Sequence, residues 1–185
     1  DGDLDGITGH LPGSDTFVRV WLNDGSGTMT FTGQTLGTDA NANAVGVGDF
    51  NGDNQVDILI APYFGGDIAV YFNNANGTGM FTDSGQRLAV TGITKSANVG
   101  DWDGDGDLDA VITGSTSGKL LFNNGSGIFS IGAQSLAAEG VSADSARIAV
   151  SDVDVDADPD ILMPGGKLYI NNGMGSFTET TPFTA

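Results

Sequence analysis

Five aspartates, Asp101, Asp103, Asp105, Asp107 and Asp109, stand at alternate positions of one nine-residue stretch. Two carboxylates about 4 Å apart repel by roughly 4 kcal/mol at an effective dielectric of 20, so such crowding is costly unless a cation shares it. Side chains at positions 1, 3 and 5 of a curled loop converge. Position 7 offers its carbonyl and position 9 closes the shell. That donor set, all oxygen and mostly anionic, suits calcium. Magnesium demands stricter octahedral geometry and keeps more water, so a multi-carboxylate cage favours the larger ion. Gly106, at position 6, permits the sharp turn.

The same pattern recurs along the chain. Asp49-Phe-Asn-Gly-Asp-Asn-Gln-Val-Asp57 lies 52 residues before the 101–109 stretch, and Asp152-Val-Asp-Val-Asp-Ala-Asp-Pro-Asp160 lies 51 residues after it. Residues 1–6 match 105–110, so a first copy starts four positions late. The expected ligands are Asp101, Asp103, Asp105 and Asp109 with the Asp107 carbonyl in the third copy. In the second they are Asp49, Asn51, Asp53 and Asp57 with the Gln55 carbonyl. In the fourth they are Asp152, Asp154, Asp156 and Asp160 with the Asp158 carbonyl. The first keeps only Asp1, Asp3 and Asp5. Three calcium sites and a partial fourth are therefore expected. Asn54 can take the position-6 turn, whereas Ala157 does so less easily.

The remaining residues offer little catalytic chemistry. His10 is the single histidine and there is no cysteine, so the common nucleophilic triads and zinc sites cannot be assembled. The carboxylates are mostly committed to the loops, which leaves no evident pair for glycoside hydrolysis. The expectation is a binding protein, not an enzyme.

Each aspartate loop must be held by regular structure, and a second repeating block supplies the frame. It reads Asn23-Asp-Gly-Ser-Gly27, Asn73-Asn-Ala-Asn-Gly77, Asn123-Asn-Gly-Ser-Gly127 and Asn171-Asn-Gly-Met-Gly175. Met29, Phe81, Phe129 and Phe177 follow, and three copies continue to Gln34, Gln86 and Gln134. The fourth has Pro182 there. Short β-branched or aromatic runs fenced by Gly, Asn and Asp surround both blocks and read as strands. Each unit is therefore strand A, aspartate loop, strand B, strand C, Asn-Gly turn, strand D. The segment 137–147 is the one weak helical candidate. Four strands at a period near 50 predict an all-β chain of propeller-type blades, each of four antiparallel strands. The blades are expected at about 1–42 (without its first strand), 43–94, 95–145 and 146–185, in one repeat domain. A β-solenoid is the alternative.

Bulk composition agrees with localised acidity. The net charge is -18, yet only 16% of the 185 residues are charged. Two of the 24 acids are Glu (139 and 179), which leaves 22 Asp, the shorter residue that prefers turns and metal ligation. Such a surface repels nucleic acid and anionic membranes. No apolar run approaches 18 residues, so membrane insertion is not expected. Trp21, Tyr71, Leu121 and Tyr169 form one repeating column, and Trp102 shares a loop position with Phe50 and Val153; packing is the expected role of both sets. Asn76 and Asn124 fit glycosylation sequons but occupy turns that require Asn anyway.

The stretch 101–109 followed by Asn-Asn-Gly-Ser-Gly-x-Phe at 123–129, together with Ala61-Pro62, resembles the FG-GAP/VCBS repeat family, whose best-known members form the integrin α-subunit propeller. The match covers essentially the whole chain. The resemblance implies a propeller with calcium in the A–B loops, an extracellular or cell-surface setting, and usually seven blades where this chain holds about four. The expected function is an adhesion or recognition module with a carbohydrate or protein ligand; the alternative is a structural subunit that self-associates into a ring or filament through incomplete terminal blades, and a weaker one is an accessory domain of a larger secreted enzyme. Self-association, or joining to the remainder of a larger chain, is the expected partnership besides the ligand.

Overall fold

The computed structural model describes residues 3–9, 17–37, 42–114, 117–138 and 147–181. Asp1, His10, Pro182 and most of the helical candidate (139–146) lie outside them. All regular structure among the described residues is strand. The first sheet runs β1 (Gly6–Thr8), β2 (Val18–Asn23), β3 (Met29–Leu36) in that order. The second blade holds β4 (Ala42–Gly48), β5 (Asp57–Pro62), β6 (Phe64–Asn73) and the first half of β7 (Phe81–Gly100). The third takes the second half of β7, then β8 (Asp109–Gly114), β9 (Ser117–Asn123) and β10 (Phe129–Ala137). The fourth is β11 (Ala149–Ser151), β12 (Asp160–Leu162), β13 (Leu168–Asn171) and β14 (Phe177–Thr180). Every pairing is antiparallel between strands consecutive in sequence.

The 20-residue strand β7 departs from the expected unit. It pairs with β6 as far as Ile93 and with β8 from Thr94 onward. One strand thus serves as strand D of the second blade and strand A of the third, which links the two sheets without a loop.

The strands B, β5 and β8, are buried at every position. The reason is that the core lies between blades and the second and third blades are covered on both faces, so these strands read as continuous apolar runs and not as alternation. Ile58 and Ile60 of β5 face Val18, Val20 and Leu36 of the first blade. Leu59 and Ala61 face Ala110, Ile112, Leu121 and Phe129 of the third. Val111, Leu120 and Leu136 in turn meet Ile161, Met163 and Tyr169 of the fourth. Each fully buried Leu or Ile contributes about 1.5–3 kcal/mol relative to exposure, so each interface rests mainly on this apolar contact.

Polar clamps fix the blades in register. Gln34 donates its amide to the Phe81 carbonyl at 2.6 Å and accepts the Phe81 N–H at 2.8 Å. Gln86 does the same to Phe129, and Gln134 to Phe177. The glutamine of one blade therefore acts as an extra backbone partner for the next.

Candidate metal centre

The aspartate loops connect β4 to β5, β7 to β8 and β11 to β12, all A–B connections. Position 1 organises each loop. Asp101 accepts the N–H groups of Gly104 (2.8 Å) and Gly106 (3.0 Å) on its two oxygens. Asp49 accepts those of Gly52, Asp53 and Asn54. Asp152 accepts those of Val155, Asp156 and Ala157. Curling the backbone around one carboxylate forces positions 4 and 6 into left-handed conformations. Gly104 and Gly106 adopt φ of 77° and 91° without strain. The fourth loop must place Val155 at 66° and Ala157 at 78°, and a β-branched residue there is a steric outlier. The position-6 cost of Ala157 is legible in the sequence; the larger cost at Val155 emerges only from the coordinates.

Position 5 carries the turn onward: Asp53, Asp105 and Asp156 accept the N–H of Gln55, Asp107 and Asp158. Position 7 leans on the neighbouring turn, with the Asp107 carboxylate against Gly125 and the Asp158 carboxylate against Gly173. In the partial first copy Asp3 sits the same way against Gly25, and Asp5 accepts the Asn23 N–H at 3.0 Å.

Position 9 has a role that spacing alone does not reveal. Asp109 is fully buried and accepts the Trp102 N–H at 3.0 Å on one oxygen and the Asn123 N–H at 2.7 Å on the other. Asp57 joins Phe50 to Asn73, and Asp160 joins Val153 to Asn171, in the same manner. This residue staples its loop to the Asn-Gly turn of the same blade. Burial pushes the Asp109 carboxyl up to about 6, against those two hydrogen bonds and with help from the charges of Asp103 and Asp105. Asp57 is raised for the same first reason, and Asp103 is raised by desolvation and then by Asp105. Each carboxylate oxygen keeps a second lone pair, so stapling leaves capacity for a cation.

Loops of adjacent blades also touch. The Asn123 amide donates both to the Phe50 carbonyl of the second loop (2.8 Å) and to the Leu108 carbonyl of the third (3.2 Å). Asn171 reaches the Trp102 carbonyl at 3.1 Å. In the second and third loops the side chain of position 2 is a packing residue: Phe50 meets Phe129 edge-on at 5.2 Å, and Trp102, fully buried, meets Phe177 at 6.2 Å, whereas Val153 of the fourth loop is exposed, against the expectation of packing.

Carboxylate oxygens of Asp101, Asp103 and Asp109 lie within 4.8 Å of one another, as do those of Asp152, Asp154 and Asp156. Donors bound at the calcium–oxygen distance of about 2.4 Å stand at most about 4.8 Å apart across the ion. The clusters thus have the chemistry and the span of a hard divalent cation's ligand set.

The family model described as FG-GAP-like repeat matches three overlapping stretches, 1–60, 49–112 and 101–163. Among solved structures the chain is similar to an Agrocybe aegerita lectin reported for specific recognition of non-reducing terminal N-acetylglucosamine. The identity is 23% and the TM-score 0.54, covering 89% of this chain and 45% of the lectin chain. The chain therefore spans less than half of that relative's length. The Photorhabdus luminescens Tc holotoxin pore is a more distant likeness, with 17% identity, a TM-score of 0.40, and coverage of 95% of this chain and 8% of that one. No curated protein sequence matches.

Proposed function

Because the chain belongs to the FG-GAP-like repeat family, which matches it from residue 1 to 163, we propose that it is a calcium-stabilised β-propeller recognition module acting outside the cell. The observation that carries this reading is the convergence of Asp101, Asp103 and Asp109 on one ion-sized space, repeated by Asp152, Asp154 and Asp156. Calcium would be held by positions 1, 3, 5 and 9, and would neutralise charge that otherwise loosens each loop. The loops then act as rivets, and recognition of a carbohydrate or protein falls to other surfaces of the blades. The lectin likeness supports the propeller frame on which such recognition is built. Binding and not catalysis is the proposed activity, since Asp101 and Asp109 are committed to shaping the loop and, in this reading, to holding the cation.

Thermal melts in 1 mM calcium and in EDTA test this. A site with Kd near 1 μM would add about 4 kcal/mol, and one near 1 mM only about 0.4 kcal/mol. An unchanged melting temperature would remove the metal role.

A second reading is that the outer faces of the arc take up further blades. Phe81, Phe129 and Phe177 are buried where they receive a neighbour's glutamine, whereas Met29, at the same place in the first blade, is 42% exposed beside a 37% exposed Phe31. An exposed apolar blade face favours association. Light scattering at micromolar concentration decides: a clean 18.8 kDa monomer that binds no hydrophobic dye argues against assembly.

A further inference from the structure

The chain carries six basic residues against 24 acids, and three of the six occupy one structural column. Arg19, Lys119 and Lys167 each stand four residues before the asparagine of an Asn-Gly turn; Ala69 holds the place in the second blade. Strand D offers each of them a neighbour two residues after the Met/Phe position. Arg19 lies over the Phe31 ring at 5.6 Å, and Lys167 pairs with Glu179 at 3.0 Å. In the third blade that neighbour is Ile131. Among the described residues no carboxylate pairs with Lys119. An uncompensated ammonium is out of keeping with a chain of net charge -18.

Lys119 lines a cavity of about 280 Å³ in the cleft between the second and third blades. The second blade contributes Val90 and Thr91, and the third contributes Thr113, Ser117, Lys119 and Ile131. The cavity lies by the end of β8, the start of β9 and the middle of β7, at the opposite strand ends from the aspartate loops. One cation, several hydroxyl-bearing side chains and an apolar wall of Val90 and Ile131 make a small amphipathic pocket.

We propose that this inter-blade cavity binds a single carboxylate-bearing sugar residue, with Lys119 as the carboxylate partner and the Thr91 and Ser117 hydroxyls meeting the ring hydroxyls. Its volume is at the small end for ligand pockets and suits one ring, not an extended chain. The acidic surface would repel a polyanion, so a uronate-type residue at the end of an otherwise neutral glycan fits better than an acidic polymer or peptide. The site rests on the recognition reading above and names its ligand class.

The test is an NMR titration of the isotope-labelled chain in calcium with D-glucuronate, D-glucose and acetate. Glucuronate should shift the amides of Thr113, Ser117 and Lys119 saturably, with glucose at least about tenfold weaker. Loss of a hydrogen bond to a charged group should make Lys119→Met at least about tenfold weaker for glucuronate, while Lys119→Arg retains it. If Lys119→Met does not fold, Thr91→Val, at an exposed position, supplies the comparison and should weaken glucuronate about threefold or more. Acetate binding as tightly as glucuronate, an unaffected Lys119→Met chain, or no shift at these amides would each overturn the site. A glycan-array signal that survives Lys119→Met would uphold recognition while overturning this location for it.

Discussion

Asp103→Asn separates the two energetic faces of the aspartate loop. The substitution keeps the shape of position 3, where the second copy already has Asn51. It removes one charge from a cluster whose oxygens lie within 4.8 Å of one another. At that outer limit each carboxylate pair repels by about 0.9 kcal/mol in water-like screening and about 3.5 kcal/mol at a dielectric of 20. Asp103 is half-buried, so the lower figure is the safer one. Relief from Asp101 and Asp109 together is about 2 kcal/mol. In EDTA the variant should therefore be more stable than the parent, by about 5 °C in melting temperature for a chain of this size. With calcium the sign of the ligand term reverses. A tenfold loss of affinity removes about 1.4 kcal/mol of the calcium-dependent gain when calcium is in excess. The assay is a matched set of melts for both chains, in EDTA and in calcium. An Asp103→Asn chain that is less stable in EDTA would refute the argument from charge crowding. An undiminished calcium gain would refute the assignment of Asp103 as a ligand.

Three further outcomes are expected. Gln134→Ala breaks both bonds to Phe177, and at about 0.5–1.5 kcal/mol each should cost about 1–3 kcal/mol in urea unfolding; a loss below about 0.5 kcal/mol would show the clamp to be incidental. Gly104→Ala places a Cβ at 2.6 Å from the Gly173 carbonyl at φ +77°, so it should cost more than the roughly 1 kcal/mol of a left-handed alanine alone, read by the same unfolding curves. In chelator, the Asp109 carboxyl stands at about 6 in the folded chain against an ordinary 3.8. The folded state therefore holds that proton more tightly, and the stability it brings is present in full below 3.8 and lost as the pH rises through about 6. Asp57 and Asp103 are raised in the same direction. The apo melting temperature should fall between pH 4.5 and 7; a rise across that window would contradict the burial argument.

Much of the architecture is written in the residues themselves. The alternate aspartates at 49–57, 101–109 and 152–160, the Asn-Gly turns and the apolar runs between them are local signals, and local backbone preference is enough to turn them into loops and strands. Their repetition near 50 residues identifies blades, because one such unit cannot bury its own apolar faces. Other properties depend on which unit lies beside which. The sequence repeats Gln34, Gln86 and Gln134 without saying that each binds the following blade. Asp57, Asp109 and Asp160 read as ligands by spacing, yet their burial and their hold on Asn73, Asn123 and Asn171 arise from a turn 11 to 16 residues away. Lys119 looks like any surface lysine until the fold sets it beside Ile131 and not a carboxylate, at the rim of a cavity shared by two blades. Backbone geometry follows from neighbours in sequence, whereas burial and charge compensation are set by neighbours in space, and only the assembled blades supply those.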